Sequence, residues 1–530
     1  MLHGYWQWDW RDTYTPLAGA APADPAAKHG GAGSLVVADP SLLGKVGLGA
    51  RFYALNLKAE LDAPGEYYIG RAGRGAAARA DRGMLFFLPP SSGRWEGGGG
   101  GGGAFLSMAA SLVVLAEGAA HLVFEGLAFA HSRGTAVGGP GHTDHVTLRN
   151  CTIANTGGGG DPRRGGAVDL TGTHHIVDGC TVHGTAGTGV SLRGGNHVTL
   201  ARGDNLMQRC DVHRTSRWFR TYRPAVAWAG VGNTFRANHI YDLPHAAFFG
   251  GGNDAICTHY WQAKPAWWPA DRGVCGANDN VFEGNRIEDV GYECADTGAF
   301  YSCGQDGTGR VNLNNSLINN TFVRIRNRGV LHWRGVPSLG VGSPFVQAIY
   351  LDDGMSGWWA SDNSFTDVQT GFLMNGGTQN VVTRNSFTDV DNCVWLSVEY
   401  SDELTYAKLV NASRLPAWQK YRDFGGAAPR RTPNWGLTHY QSYDAFHAAS
   451  ARSKDNLVQN NSFCRARLGF CQCCVGSDSS TFRNNTNTSE TCKLHTGRFR
   501  TIVSGSAVNG HGNAAAPLDR RRPATPSGVG

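Results

Sequence analysis

Two aspartates stand side by side in AIYLDDGMSG, residues 348–357, where an apolar and aromatic run leads into Asp352, Asp353 and a glycine. An adjacent acid pair at a strand end has an ordinary reading, a turn in which aspartate bonds to its own backbone. It also has a chemical one. Glycoside hydrolysis needs one carboxyl to protonate the leaving oxygen and a second to attack the sugar or activate water. Neighbouring acids push their pKa values apart, which makes one of them a usable proton donor near neutrality. Two further acids, Asp296 and Asp306, bracket a similar run in DTGAFYSCGQD. Upstream, SRWFRTYRPAV (216–226) adds Trp218, Arg220 and Arg223, and LPHAAFF (243–249) adds His245. With Tyr301, Tyr350 and Asn375 these form a set suited to a sugar polymer: aromatic faces for pyranose rings, carboxylates and an amide for hydroxyls. Taken singly, each has a structural alternative. His245 can be a core histidine, and Arg223 can pair with Asp296.

Whether these residues meet depends on the elements that carry them, and the chain repeats. The stretches RNCTIANT (149–156), DGCTVHGT (178–185), QRCDVHRT (208–215), RANHIYDL (236–243), EGNRIEDV (283–290), INNTFVRI (318–325), SDNSFTDV (361–368), TRNSFTDV (383–390) and QNNSFCRA (459–466) share Asn or Cys third and an aliphatic residue or Phe fifth. Between them lie short alternating runs: AVDL, GVSL, AVAW, AFFG, AFYS, AIYL, GFLM and CVWL. Period-2 alternation marks strands. Short strands recurring at fixed intervals, with no helical period between them, describe a β-solenoid. Helical repeats are disfavoured because the 74 glycines would each cost ~1 kcal/mol inside a helix. The repeated Asn or Cys is expected to stack coil upon coil as an internal ladder, which makes Cys151, Cys180 and Cys210 ladder residues rather than ligands.

Equivalent positions in successive coils lie ~4.8 Å apart, so the strands can be aligned. With Ala299, Ala348 and Gly371 level, Phe300, Ile349 and Phe372 face the core together with Ser302, Leu351 and Met374. Tyr301, Tyr350 and Leu373 then face outward with Cys303, Asp352 and Asn375, and Asp353 falls at the following bend. In this alignment Asp306 lies nearer the 352/353 pair than Asp296 does.

The 530 residues carry 48 Lys and Arg against 42 Asp and Glu, a balance that gives no reason to expect a nucleic-acid partner. The longest apolar run, 104–116, is short of the ~20 residues a membrane span needs. Thirteen cysteines include a C-x-C-C cluster (Cys471, Cys473, Cys474), but no second CxxC and no histidine stands at zinc-finger spacing. We therefore expect no metal and no cofactor. Seven N-x-S/T sequons (Asn150, Asn314, Asn319, Asn411, Asn460, Asn484, Asn487) suit a secreted protein, and a repeated Asn turn would also generate them. The expected organisation is a β-rich N-terminal segment (1–95) packed on or continuous with the helix, a glycine linker (96–104), a parallel β-helix (105–398) and an insertion (399–455). Cysteine-rich terminal coils (456–502) and a disordered tail (503–530) follow.

The chain resembles the right-handed parallel β-helix proteins of the pectin-lyase-like group, and more narrowly glycoside hydrolase family 141, which includes fucosidases and xylanases. The stretches that carry the resemblance are GYWQWDWRDTY, LDAPGEYYIG with GMLFFLPP, SRWFRTYRPAV, DLPHAAFFGGGND, DTGAFYSCGQD, QAIYLDDGMSG and FLMNGGTQNVVTRNSF, over residues 4 to 425. The resemblance implies an all-β right-handed parallel β-helix and hydrolysis by two aspartates, on the positions Asp296, Asp306, Asp352 and Asp353. It also implies a polysaccharide or oligosaccharide substrate, a monomer, and an extracellular or secretory location. The opening MLHGYWQWDWRDTY lacks the basic start and apolar core of a signal peptide; similar proteins usually begin earlier, with a signal peptide and an opening coil, so the resemblance implies a start that is truncated or shortened here. They also tend to carry Arg where this chain has Gln305. Two other readings stay open: a lyase or epimerase, with Arg220, Arg223 and His245 acting on a uronate, and a solenoid that binds carbohydrate without turning it over.

Overall fold

The computed structural model describes residues 1–21, 33–44, 46–47, 50–71, 83–89, 105–157, 166–196, 200–251, 277–303, 314–328, 346–352, 355–397, 456–465, 468–473 and 480–487, with short strands at 502–503 and 506–507. Asp306, Asp353, Gln305, the glycine run and the 399–455 insertion lie outside the described residues. From Val113 onward the described residues wind a right-handed parallel β-helix, the solenoid that the repeat predicted with the hand that the resemblance implied. There is no α-helix among the described residues.

Each coil contributes three strands, and one coil shows the pattern. Its third strand, Val168–Thr173, turns into the first strand of the next coil, Ile176–Asp178, which turns into the second, Thr181–His183. First strands stack into a sheet of their own, and second and third strands form the other large sheet. Farther along, second and third strands run together without a break in Ser364–Asn375 and Ser386–Ser397.

The corners explain why the repeat is written with Asn, Asp and Gly. The residue before each ladder position takes a left-handed backbone: Asn150, Arg209, Ala237, Asn319, Asp362, Arg384, Asn460 and Asn484 have φ between 50 and 60°, and Gly179 and Gly284 fill the same corner at 62 and 64°. Most L-residues resist this region, while Gly and Asn enter it cheaply. The sequons Asn150, Asn319, Asn460 and Asn484 are therefore corner residues followed by a ladder residue and a strand-opening Ser or Thr. Asn314 plays the same part, at φ 62°, in the turn before the first strand. Their spacing follows from the fold without any need for glycosylation.

The ladder itself runs through the buried interior. Asn238, Asn285, Asn320, Asn363, Asn385, Asn461 and Asn485 follow one another, each amide Nδ2 donating to the Oδ1 of the next at 2.9–3.0 Å. Each Oδ1 also accepts from the backbone N–H of the preceding ladder residue. The cysteines open the same column. The Cys151 N–H donates to Cys180 Sγ, and the Cys210 N–H to Asn238 Oδ1. A second ladder, Asn205–Asn233–Asn280–Asn315, rises at the other corner.

The fifth position of each repeat packs the core. Phe322, Phe365, Phe387 and Phe463 stack face to face, with ring centroids 5.1, 4.6 and 5.2 Å apart, all within the single cluster that runs the length of the solenoid. Phe365 sits mid-stack and is 1% exposed. Phe365→Ala is expected to cost ~3–5 kcal/mol, read as a lowered urea midpoint.

Residues 1–71 add an antiparallel sheet of Leu2–Tyr5 between Thr13–Thr15 and Arg51–Ala54. This sheet bonds to the solenoid: the Tyr14 hydroxyl donates to the Trp218 carbonyl (2.7 Å), the Tyr5 hydroxyl to Glu293 Oε1 (3.1 Å), and Arg51 to the Glu293 carbonyl. Strands Ile502–Val503 and Ser506–Ala507 pair antiparallel at the start of the segment read as a tail.

Candidate active site

The strand alignment made from sequence is the observed register. Phe300, Ile349 and Phe372 pair level with one another, as do Tyr301, Tyr350 and Leu373, and Ser302, Leu351 and Met374. The first set lies in the main core. The second forms a separate cluster outside the coil with Ala246 and Phe249, flanked by Tyr222 and Trp395. This outward face is closed off. Tyr301 is 5%, Tyr350 4% and Asp352 8% exposed, so the tyrosines read from sequence as lining an outer face are packed side chains.

Strand register puts two carboxylates on one tyrosine pair. Tyr301 and Tyr350, one coil apart, stack with ring centroids 4.8 Å apart and planes 6° from parallel. The Tyr301 hydroxyl donates to Asp352 Oδ2 at 2.7 Å, and the Tyr350 hydroxyl donates to Asp296 Oδ1 at 3.2 Å. From the following coil, Asn375 Nδ2 donates to Asp352 Oδ1 at 2.9 Å. Both oxygens of Asp352 thus accept a hydrogen bond, an arrangement that stabilises a carboxylate in a low-dielectric setting. The amide oxygen of Asn375 is buried and has no hydrogen-bond partner among the described residues, which leaves an acceptor beside Asp352.

Of the residues read upstream, Arg220 is engaged with Glu293 and the N-terminal segment. Arg220 Nε donates to Glu293 Oε2 at 2.9 Å and its Nη1 to the Ser216 carbonyl at 3.0 Å. Its backbone N–H, with that of Thr221, binds the Asp12 carboxylate. Burial works to raise the Asp12 carboxyl, but hydrogen bonds from His3, Thr221 and the Arg220 amide outweigh it and hold it below the usual range. Arg223 Nη1 donates to the Tyr222 carbonyl at 2.7 Å, and its guanidinium lies 5.9 Å from the Phe219 ring centre. Trp218 is 53% exposed and offers its carbonyl to Tyr14. Arg220 therefore pairs with Glu293 within the coils, and its backbone N–H, by binding Asp12, ties the N-terminal segment to them. Sequence reading passed over its partners Asp12 and Glu293, along with Tyr222, Phe249 and Trp395, because nothing in their local spacing marks them.

His245 is buried against Tyr222, with ring centroids 5.1 Å apart, and bonds to Thr297 Oγ1 at 3.1 Å. Burial drives its pKa down to about 3, against a small opposing pull from Asp12. Burial likewise lowers His175 to about 4. A histidine whose folded pKa is depressed stabilises the fold above its unfolded value near 6.5. That stability is lost as pH falls toward the folded pKa, because the unfolded chain binds the proton first. We expect stability to drop between about pH 6.5 and pH 4 through both groups and on toward pH 3 through His245 alone, by up to ~1.4 kcal/mol per pH unit for each group. His245→Asn should flatten that slope in urea midpoints measured across pH; an unchanged slope would remove His245 from the account.

No protein-family model and no curated protein matches the chain. Among solved structures it is similar to one described as a glycoside hydrolase (12% identity, TM-score 0.46, over 77% of this chain and 69% of that one). It is also similar to the A-module of the mannuronan C-5 epimerase AlgE6 from Azotobacter vinelandii (12%, TM-score 0.36, 74% and 79%). A third is an alginate lyase from Paenibacillus sp. str. FPU-7 (10%, TM-score 0.38, 68% and 92%). At these identities and scores the likenesses carry no argument about chemistry, which rests on the residues themselves.

Proposed function

We propose that the chain is a carbohydrate-active enzyme that hydrolyses glycosidic bonds in a polysaccharide or oligosaccharide. The observation that carries this reading is the pair of carboxylates, Asp352 and Asp296, held by the two hydroxyls of one stacked tyrosine pair. Glycosyl transfer to water needs two carboxyl groups with different roles. Asp352, which accepts from both Tyr301 and Asn375, suits the role of the charged group, which attacks the anomeric carbon or activates water. The proton for the leaving oxygen then comes from a second acid, and Asp296, Asp306 and Asp353 are the candidates, with Asp296 sharing the tyrosine pair. The packed aromatic cluster of Phe249, Tyr301 and Tyr350, with Trp395 against it, holds the two carboxylates in place rather than offering a ring face to the sugar. The sequence stretches similar to glycoside hydrolase family 141 agree with this reading, and with it a monomer working outside the cell.

The test is a screen of the purified protein on fucosylated, xylan and uronate polysaccharides, reading reducing ends and ultraviolet absorbance together. Reducing ends without absorbance are expected. Absorbance from a new C=C bond would replace hydrolysis by elimination and turn attention to Arg223 and His245. Saturable binding with neither signal, unchanged by Asp352→Asn, would make the protein a binding solenoid.

A further inference from the structure

A second group of ionisable side chains lies near the N-terminal end of the solenoid, at the corner where third strands turn into first strands. In successive coils this corner is held by His121, His145 and His174, all in the left-handed region, at φ 55, 50 and 56°. Farther along, the same corner is held by Asp204, Gly232, Asp279, Asn314, Gly357 and Gln379. Backbone conformation alone therefore does not call for imidazole, since Gly, Asn and Asp satisfy it elsewhere. The three rings stack in a column, with centroids 4.7 Å apart for His121 and His145 and 4.4 Å for His145 and His174.

One carboxylate faces this column. Asp144 Oδ2 lies 2.7 Å from His145 Nδ1 and its Oδ1 lies 3.2 Å from His174 Nδ1; Thr173 Oγ1 also donates to Oδ1. The ligand atoms of His121, Asp144 and His145 all fall within 4.8 Å of one another. Zinc bonds of ~2.0–2.2 Å to nitrogen and oxygen place tetrahedral donors closer together than that, so binding requires the exposed His121 and His145 rings to turn out of their stack until their nitrogens converge on the Asp144 carboxylate. The backbone beneath is fixed: the His121, Asp144, His145 and His174 amides bond to the carbonyls of Asp144, Ala119, Thr173 and Gly203 in turn. The side chains themselves are about half exposed, which leaves a position for water and a path for an ion.

We propose that His121, Asp144 and His145 bind one divalent transition-metal ion of the zinc type. Two imidazoles and a carboxylate form a borderline donor set that favours such ions over calcium or magnesium. His174 acts as a positioning residue that orients the carboxylate. The ion would join adjacent coils at the N-terminal end of the solenoid and stabilise the folded chain by linkage. This site is separate from the tyrosine pair and does not depend on the reaction proposed there.

The test uses the full chain stripped with a chelator and titrated with zinc chloride against a chromophoric zinc indicator, with thermal unfolding followed in parallel. One equivalent should bind and raise Tm. His121→Asn and His145→Asn keep a residue that accepts the left-handed corner while removing the ring, and each should weaken binding by at least ~10-fold. Asp144→Asn should do the same without touching a corner residue, which guards against a variant that fails to fold. His183→Gln, outside the cluster, should bind as the wild type does. Failure of the wild type to bind an equivalent, or affinity unchanged in the cluster variants, would overturn the proposal.

Discussion

Asp352→Asn is expected to lower turnover on the order of 10³-fold or more, while Tm stays close to that of the unaltered protein. The substitution keeps the shape of a side chain that is 8% exposed and keeps one oxygen to accept from Tyr301 or Asn375. The fold loses one charge-assisted bond, whereas the reaction loses the only group able to carry negative charge at that position. Tyr301→Phe leaves the charge and removes one donor, so its effect should be smaller, about 10–100-fold, in line with a hydrogen bond to a charged group. Asp296→Asn in the same series shows whether the second acid on the tyrosine pair takes part. If the two acids act as a unit, Asp352→Asn and Asp296→Asn together should cost little more than the worse single change. Rates that survive Asp352→Asn above a tenth of the original would remove this carboxylate from the mechanism.

The second large effect concerns the ladder. Asn363 accepts from the N–H and the Nδ2 of Asn320 at 2.9 and 3.0 Å, and its own N–H and Nδ2 both donate to Asn385 Oδ1 at 2.9 Å. Its Nδ2 also donates to the Leu317 carbonyl at 2.9 Å. Asn363→Ala leaves the Asn320 N–H without its acceptor in a site 1% exposed and takes a donor from Leu317. Orphaned buried polar groups cost ~1–3 kcal/mol each, so a total of about 3–5 kcal/mol is expected. Asn363→Cys should cost less, because Cys180 already accepts from a backbone N–H at the equivalent position, at 3.4 Å. Solenoids need not unfold in one step, so hydrogen exchange at the Asn320 amide, which loses its acceptor, is the sharper readout beside the urea midpoint. A loss under ~1 kcal/mol for Asn363→Ala would mean that the corner geometry, rather than the amide chain, holds the coils in register.

How much was legible in the residues follows from the range over which each feature is determined. A coil is a local object: a left-handed corner, a ladder residue and a strand of fixed alternation lie within eight consecutive positions. The repeat therefore reveals itself by recurrence, even where the interval stretches from 22 residues (Asn363 to Asn385) to 76 (Asn385 to Asn461). Parallel stacking then carries the register of one coil to the next. That is why the levels Phe300–Ile349–Phe372 and Tyr301–Tyr350–Leu373 could be written down in advance, and why Cys151, Cys180 and Cys210 read as ladder residues.

Charged side chains obey no such period. Arg220 has the side chain of a sugar ligand, yet it meets Glu293, 73 residues on, and its backbone meets Asp12, 208 residues back. Asp296 lay farther from the acid pair than Asp306 in a flat alignment, yet it reaches the hydroxyl of Tyr350, whose ring stacks on the tyrosine that binds Asp352. Asp306 and Asp353 fall outside the described residues, and Asn variants at both positions, assayed beside Asp296→Asn, would show which acid supplies the proton. By itself the sequence determined the solenoid, its ladder and which strand positions face outward, because those depend on short-range geometry repeated many times. Only the tertiary structure decided which carboxylates share a tyrosine pair, which arginine's backbone is tied to the N-terminal segment and how closed the outward face is. Those outcomes depend on single long-range contacts, each made once, with no repetition to expose them.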